Sequence, residues 1–207
     1  MKMKKALLSI SLLLFCLPRA RAQTAAPVPA VKPSVTVEAP KSLPEEVTGR
    51  ELRDLSGRAF RLKELSGRVY VVNLWATWCG PCRLEIPGFN KIYEDYRERG
   101  VEFVGLTAED PEEDAETVRE FINELRMSYR VGWIDKETVL RLTNWNASSP
   151  PRTSFTIPQT FVVGADGHVV LRVRGYNPRV PEMIRAGVRK ALEASPAPPP
   201  PADAARP

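Results

Sequence analysis

Cysteine and histidine are scarce in this chain. It has three cysteines, at positions 16, 79 and 82, and a single histidine, His168. A structural zinc site needs about four ligands from cysteine, histidine or carboxylate side chains. The scarcity therefore argues against a zinc-binding domain and directs attention to the pair formed by Cys79 and Cys82.

Positive charge is not in excess once the N-terminus is set aside. Of the 30 basic and 25 acidic residues, five basic and no acidic ones fall within residues 1–22, which leaves 25 of each sign. A nucleic-acid-binding domain normally shows a basic footprint. We therefore expect no nucleic-acid partner.

The N-terminal apolar run is short. Residues 6–17 make 12 residues, whereas a transmembrane helix needs about 20. A basic start precedes the run and Ala20-Arg21-Ala22 follows it, which is the pattern of a cleaved export signal. We expect cleavage after Ala22 and a periplasmic or extracytoplasmic location. The alternative is that the uncleaved segment anchors the protein in the membrane.

Prolines gather near both ends of the chain and bound the folded region. Alternating Ala, Pro and Val before residue 47 and a Pro/Ala run after residue 194 favour extended, solvated backbone with little to bury. We predict a signal peptide, a Pro/Ala-rich linker, one folded domain and a disordered Pro-rich tail. These segments are residues 1–22, 23–46, 47–194 and 195–207.

Strand and helix patterns alternate along the domain. A turn at residues 54–57 predicts an opening β-hairpin, and residues 69–75 form a nearly continuous apolar run that is typical of a strand buried on both faces. Helical spacing then begins at Pro81, and a later turn at residues 165–167 predicts a second hairpin. The order indicates an α/β fold with a mixed central β-sheet flanked by helices and an N-terminal β-hairpin.

The acid-rich stretch at residues 110–116 could be taken for a substrate patch. Acidic residues are also favoured in the first turn of a helix. We interpret the stretch as the opening of a helix over residues 111–126.

The segment Trp78-Cys79-Gly80-Pro81-Cys82 lies where the buried strand gives way to the first long helix. At a helix N-terminus, unpaired N–H groups and the helix dipole stabilise a Cys79 thiolate. Cys82, one turn later, can close a disulfide with it. A purely structural disulfide over so short a loop would add little stability. The spacing therefore favours dithiol-disulfide exchange, with Cys79 as the attacking and Cys82 as the resolving thiol.

Residues 71–82, with the sequence VVNLWATWCGPC, resemble the thioredoxin superfamily and in particular its exported TlpA/ResA-like branch. The resemblance extends to residues 54–57, to Ile157-Pro158-Gln159-Thr160-Phe161 and to the turn at Asp166-Gly167. It covers essentially the whole domain. A thioredoxin-like fold is therefore implied.

The resemblance also implies how substrate is held. Pro158 is expected to be cis and to pack beside the cysteines, while the backbone of Ile157 pairs with a bound peptide. Trp78 is expected to shield Cys79 and to contact substrate. The stretch at residues 144–156 is longer than the family usually has, and we expect it to border the substrate groove and set target preference.

Asn73 stands where cytoplasmic thioredoxins usually carry a buried aspartate, and an amide cannot titrate in the working range. Glu85 matches the glutamate of the TlpA/ResA-like pattern. If it is partly buried, its pKa rises and it can take the proton of Cys82. The alternative is a solvated glutamate that only complements the helix dipole.

The resemblance implies an extracytoplasmic thiol-disulfide oxidoreductase, most simply a reductase of exported proteins with cysteine pairs, such as apocytochrome c during cytochrome c maturation. The reduction potential of thioredoxin, which has the same Gly-Pro dipeptide, is about −270 mV, and that of the oxidant DsbA is about −120 mV. The Gly-Pro dipeptide therefore agrees with a reductase. We expect no cofactor beyond the redox-active Cys79–Cys82 disulfide. By family analogy a membrane thiol-reducing protein supplies electrons, and we expect a monomer.

Other functions remain open. The same chemistry could serve general periplasmic disulfide reduction or isomerisation, or reduction of a copper-site assembly protein. A metal chaperone is less favoured, because copper carriers of this fold space their cysteines more widely and His168 is poorly placed. A thiol peroxidase is disfavoured because its nucleophile normally follows a threonine-rich loop.

Overall fold

The computed structural model describes residues 34–36, 42–144 and 154–195. The predicted signal peptide, nearly all of the predicted tail, and residues 145–153 of the predicted insertion lie outside the described residues. No helix in the described ranges is both long enough and apolar enough to cross a bilayer.

One sheet and the helices that cover it make up the described part of the chain. The strands are β1 Ser34–Thr36, β2 Leu52–Asp54, β3 Ala59–Phe60, β4 Tyr70–Trp75, β5 Glu102–Thr107, β6 Arg130–Trp133, β7 Gln159–Val163 and β8 Val169–Arg174. The α-helices are α1 Glu45–Thr48, α2 Gly80–Tyr96, α3 Ala115–Leu125, α4 Lys136–Asn144 and α5 Val180–Glu193. Two 3₁₀ turns cover Leu62–Leu65 and Arg97–Arg99.

The sheet is mixed, as predicted, with the strand order β1-β8-β7-β4-β5-β6-β2-β3. β4, β5 and β6 are mutually parallel, and the remaining neighbours are antiparallel. The predicted hairpin is confirmed as β2 and β3, which extend the sheet beyond β6. All six residues of β4 are buried because helices cover both faces of the central strands.

Alternate residues of β4 enter different cores. Tyr70, Val72 and Leu74 belong to the cluster shared with α1 and α4. Val71 belongs to the cluster shared with α2 and α5, and Trp75 to the one that α2 forms with α3. Side chains alternate along a strand, so Asn73 faces α2 between Val71 and Trp75. This placement puts a buried amide beneath the helix that carries the cysteines.

The folded region begins earlier than the predicted boundary at residue 47. β1 pairs with β8, Ser42 bridges to His168, and Leu43 is buried in the core. The linker predicted over residues 23–46 therefore contains residues that pair with the sheet and pack into the core. The physical reason is that the exposed edge of β8 offers unpaired backbone groups.

The helix predicted over residues 111–126 is shorter than expected. Residues 111–113 form a turn, and α3 begins only at Ala115. The carboxylate of Asp110 accepts hydrogen bonds from the N–H groups of Glu112 and Glu113 at 2.7 and 3.1 Å. The acidic residues thus stabilise the turn that precedes the helix.

Candidate active site

Cys79 and Cys82 form a disulfide at the junction of β4 and α2, with their Cα atoms 5.3 Å apart. Cys79 is the N-cap residue of α2, and its Sγ accepts a hydrogen bond from the backbone N–H of Cys82 at 3.2 Å. Pro81 follows Gly80 in the first turn, where the missing N–H of a proline costs nothing. Once the disulfide is reduced, the same helix end favours a thiolate on Cys79.

The two sulfurs differ in their access to solvent. Cys79 retains 4% of its accessible surface and Cys82 retains none. Trp75, Ala76 and Ile86 bury the pair from the core side. Cys79 is therefore the thiol of the pair that can meet a partner.

Trp78 presents its aromatic side chain to solvent. Its side chain is 71% exposed and stands beside Cys79 in the sequence. The indole is therefore accessible to a partner, and its expected roles in shielding Cys79 and contacting substrate stay predictions.

The Ile157–Pro158 peptide bond is cis, as predicted. Pro158 is buried, and its carbonyl accepts a hydrogen bond from the N–H of Gly175 at 2.8 Å. Ile157 is half-buried and packs against the cluster that contains both cysteines. The segment that leads into β7 thus packs against the cluster of the redox pair, although it is remote from the pair in sequence.

Glu85 is fully buried, so the alternative of a solvated glutamate is wrong. The side-chain amide of Asn73 donates to its Oε1 at 2.8 Å and also to Thr160 Oγ1 at 3.1 Å. Burial raises the pKa of Glu85 well above its ordinary value, and the hydrogen bond from Asn73 opposes this only in part. The site therefore holds an acid-base group one helical turn behind Cys82.

Glu109 is a site residue that the sequence did not indicate. Its carboxylate accepts hydrogen bonds from the backbone N–H of Thr77 at 3.0 Å, from the Thr77 hydroxyl, and from Thr107 Oγ1 at 2.7 Å. It thereby ties the loop before Cys79 to the end of β5. In the sequence, the signal for Glu109 is its position just after a strand that is parallel to β4, because the carboxyl ends of neighbouring parallel strands lie together.

Comparison with known proteins decides the family. Residues 44–172, which are more than half of the chain, match the AhpC/TSA family. The chain belongs to the AhpC/TSA family. The thiol-disulfide oxidoreductase ResA of a Bacillus cereus strain is 34% identical over 122 residues, which are 59% of this chain and 64% of that protein. The chain thus matches slightly less than two thirds of that relative's length.

A second relative of this AhpC/TSA family member is matched over more of its length. ResA of Bacillus thuringiensis subsp. konkukian is 29% identical over 140 residues, which are 68% of this chain and 74% of that protein. A thioredoxin-family thiol:disulfide interchange protein from Chlorobium tepidum TLS shares the fold with a TM-score of 0.59 and 26% identity, over 75% of this chain and 98% of that one. These matches confirm the thioredoxin-like fold and the ResA-like resemblance.

Peroxiredoxin Q of Xanthomonas campestris has the same fold as this AhpC/TSA family member. The TM-score is 0.58 at 16% identity, over 72% of this chain and 96% of that one. At so low an identity the likeness concerns the fold alone.

The described ranges of this AhpC/TSA family member contain no cluster of three or more His, Cys, Asp or Glu side chains that could bind a metal ion. His168 lies beyond the end of β7 opposite to Pro158, and its Nδ1 is 3.1 Å from Asp166 Oδ2. The histidine is therefore far from the cysteines along the strand, as the sequence suggested.

A groove of about 690 Å³ lies beside the loop that Glu109 holds at Thr77. Leu55, Ala108, Glu109 and Trp133 are among its lining residues. Leu55 and Trp133 also pack against the cluster that contains the cysteines. Trp133 is partly buried, and its indole forms part of the wall of the groove.

Proposed function

We propose that this protein is an extracytoplasmic thiol-disulfide oxidoreductase that works through Cys79 and Cys82. One observation carries the proposal. The two cysteines form a disulfide at the N-terminus of α2, only Cys79 has access to solvent, and the buried acid Glu85 lies one turn behind them. The ResA relatives, which are named as thiol-disulfide oxidoreductases, support it.

The reaction begins with the reduced protein. The Cys79 thiolate attacks one sulfur of a target disulfide, the target S–S bond breaks, and a mixed disulfide forms while the released target thiolate takes a proton. Cys82 then loses its proton and attacks the Cys79 sulfur. The mixed disulfide breaks, the second target sulfur leaves as a thiol, and the Cys79–Cys82 bond closes. The target gains two electrons from the two enzyme sulfurs and two protons in total, of which one comes from solvent and the other is the proton of Cys82.

Glu85 serves as the proton acceptor for Cys82. Both residues are completely buried, and they are three positions apart on one face of α2. Water therefore has no direct access to the Cys82 thiol, and a carboxylate with a raised pKa is a suitable base. Asn73 holds the carboxylate in place through its amide.

Substrate binds across the surface that surrounds Cys79. Trp78 offers an exposed aromatic face, and Ile157, which precedes the cis Pro158, packs against the cluster that contains the disulfide. An extended peptide can pair its main chain with Ile157 as an added strand. This arrangement selects unfolded or flexible targets, whose cysteines lie in extended chain.

Reduction is the proposed direction, and apocytochrome c is the proposed target. The predicted export signal, the Gly-Pro dipeptide and the resemblance to the ResA-like branch support this choice. Electrons would come from a membrane thiol-reducing protein, and the enzyme would act as a monomer without a further cofactor. Other disulfide proteins of the envelope, or a copper-site assembly protein, are alternative targets of the same chemistry.

Trapping of the mixed disulfide tests the proposal. Cys82→Ser, expressed in the native envelope, should stay linked to its targets through Cys79, and the captured proteins should carry cysteine pairs. Cys79→Ser is the matched control and should capture nothing. Equal capture by the two variants would contradict the assigned roles.

Peroxide reduction is the second candidate, because the chain belongs to the AhpC/TSA family. In that reaction Cys79 would attack a peroxide oxygen to give a sulfenic acid and an alcohol or water, and Cys82 would condense with the sulfenic acid and release water. A peroxide-consumption assay alongside a disulfide-reduction assay separates the two. We expect disulfide reduction to be much the faster.

A further inference from the structure

Four buried polar atoms near Glu85 lack a hydrogen-bond partner among the described residues. Trp75 Nε1 and the Tyr129 hydroxyl are donors, and Asn73 Oδ1 and Glu85 Oε2 are acceptors. Buried polar groups are nearly always paired in folded proteins, because an unpaired one loses its hydration without compensation. Two donors and two acceptors in one region form a matched set.

The geometry of the strands brings these groups together. Gly105 of β5 is the register partner of Asn73 in β4. A Cβ atom added at Gly105 would lie 2.9 Å from Trp75 Nε1 and 3.1 Å from Tyr129 Cε2. The edges of both rings therefore converge over Gly105, next to the amide that holds Glu85. Any larger residue at position 105 would push them apart.

Tyr129 is also electrostatically coupled to Glu85. Burial and the negative charge of Glu85 both raise the pKa of the Tyr129 phenol above its ordinary value of 10.0. The phenol therefore stays protonated wherever Glu85 titrates. It is a permanent donor facing a group that alternates between carboxyl and carboxylate.

We propose that Tyr129 is a positioning residue for the exchange reaction: its hydroxyl donates a hydrogen bond to the ionised form of Glu85, directly or through one buried water. The inference rests on the proposed function, in which Glu85 accepts the Cys82 proton. Tyr129 makes the ionised state of this buried base accessible. Without that donor, Glu85 would remain protonated and could not take up the Cys82 proton.

The groups near Glu85 that already have partners do not provide this donor. Asn73 already donates to Oε1, and Thr160 receives the second hydrogen bond of the same amide. The charged side chains from the helices packed on α2 meet it elsewhere. Glu124 of α3 pairs with Arg83, and Arg185 of α5 pairs with Asp95, both at partly or fully exposed positions.

The test is the titration of Glu85 in the oxidised protein, followed by carboxyl infrared bands or by carbon NMR of labelled glutamate. Tyr129→Phe should move the titration midpoint of Glu85 upward. At a pH below the midpoint of the natural protein, the attack of Cys82 on a preformed mixed disulfide should be about tenfold slower in Tyr129→Phe than in the natural protein, because a smaller fraction of Glu85 is ionised in the variant. Fluorotyrosine at position 129, a stronger donor, should move the midpoint downward.

Tyr70→Phe is the matched control, because Tyr70 is an equally buried tyrosine in the cluster on the opposite face of β4. It should leave the titration of Glu85 unchanged. If Tyr129→Phe and fluorotyrosine also leave it unchanged, the inference is wrong. The titration does not depend on activity, so a protein that fails to reduce disulfides would contradict the proposed function without deciding the role of Tyr129.

Discussion

At the scale of single residues, the central fact is that a carboxyl group is buried and that no cationic side chain of the described residues forms an ion pair with it. Glu85 is held by Asn73 and lies behind two buried sulfurs. A carboxylate in such surroundings costs stability when it ionises. Its retention inside the core is therefore better explained by proton transfer than by packing.

Substitution of Glu85 should separate attack from resolution. We expect Glu85→Gln to form the mixed disulfide at Cys79 at a nearly normal rate, because that step does not use the base. Resolution by Cys82 should slow by about 100-fold, which is typical of a lost general base. Rapid mixing with a peptide disulfide measures both steps. Slowing of the first step alone would contradict the role given to Glu85.

The same residue predicts how stability depends on pH. The pKa of Glu85 is raised on folding above its ordinary value of 4.5, so its contribution is fully present below about that pH and is lost as pH rises through the folded value. We expect Glu85→Gln to remove this loss and to be more stable than the natural chain at neutral pH. Urea unfolding of the oxidised proteins across pH checks this, with Glu85→Asp as the variant that keeps the charge.

At the scale of elements, the junction between β4 and α2 depends on its parallel neighbour β5. Glu109 at the end of β5 holds Thr77 by its N–H and its hydroxyl. The loop that presents Cys79 is therefore fixed by a residue 32 positions away. The position of the attacking sulfur is a property of two strands together.

Loss of this anchor should affect both stability and rate. We expect Glu109→Ala to lower the free energy of unfolding by about 1 to 2 kcal/mol, because the half-buried donors of Thr77 and the buried hydroxyl of Thr107 lose their acceptor. Attack by Cys79 should slow because its loop becomes mobile. Glu112→Ala, at an exposed neighbouring glutamate, is the control for charge. Equal effects in the two variants would show that only the charge matters.

At the scale of the whole molecule, the domain reaches back beyond the proline-rich boundary. Leu43 is buried at 5% exposure in the core that α1 and α4 cover. We expect Leu43→Ala to destabilise the protein by about 2 to 4 kcal/mol, because a buried leucine leaves a cavity. Glu46→Ala, at an exposed position on α1, should change stability by less than about 0.5 kcal/mol. Thermal or urea unfolding measures both, and similar small effects would place Leu43 outside the core.

The sequence predicted those parts of the molecule that depend on local pattern. Three such predictions are confirmed: the apolar run of β4, the cysteine pair at the start of α2 and the β2–β3 hairpin. Each depends on a signal that acts over a few neighbouring positions, namely hydrophobic periodicity, helix-start residues or turn residues.

The parts that the sequence did not predict depend on strand order and register. Thr160 reaches Asn73 from 87 positions away, and Glu109 reaches Thr77 across parallel strands. Tyr129 meets the site only because Gly105 lies opposite Asn73. β1 was missed because three residues on a sheet edge carry no pattern that separates them from the surrounding Pro/Ala-rich chain.

The most direct test of the central claim is the rate at which each cysteine variant of the purified, reduced protein reacts with a peptide disulfide. The natural chain should open the peptide and close its own disulfide. Cys82→Ser should react as fast but stop at a stable one-to-one adduct on Cys79, and Cys79→Ser should react at least about tenfold more slowly. Equal rates for the two variants, or no reaction faster than that of a free thiol, would contradict the claim that Cys79 is the activated nucleophile.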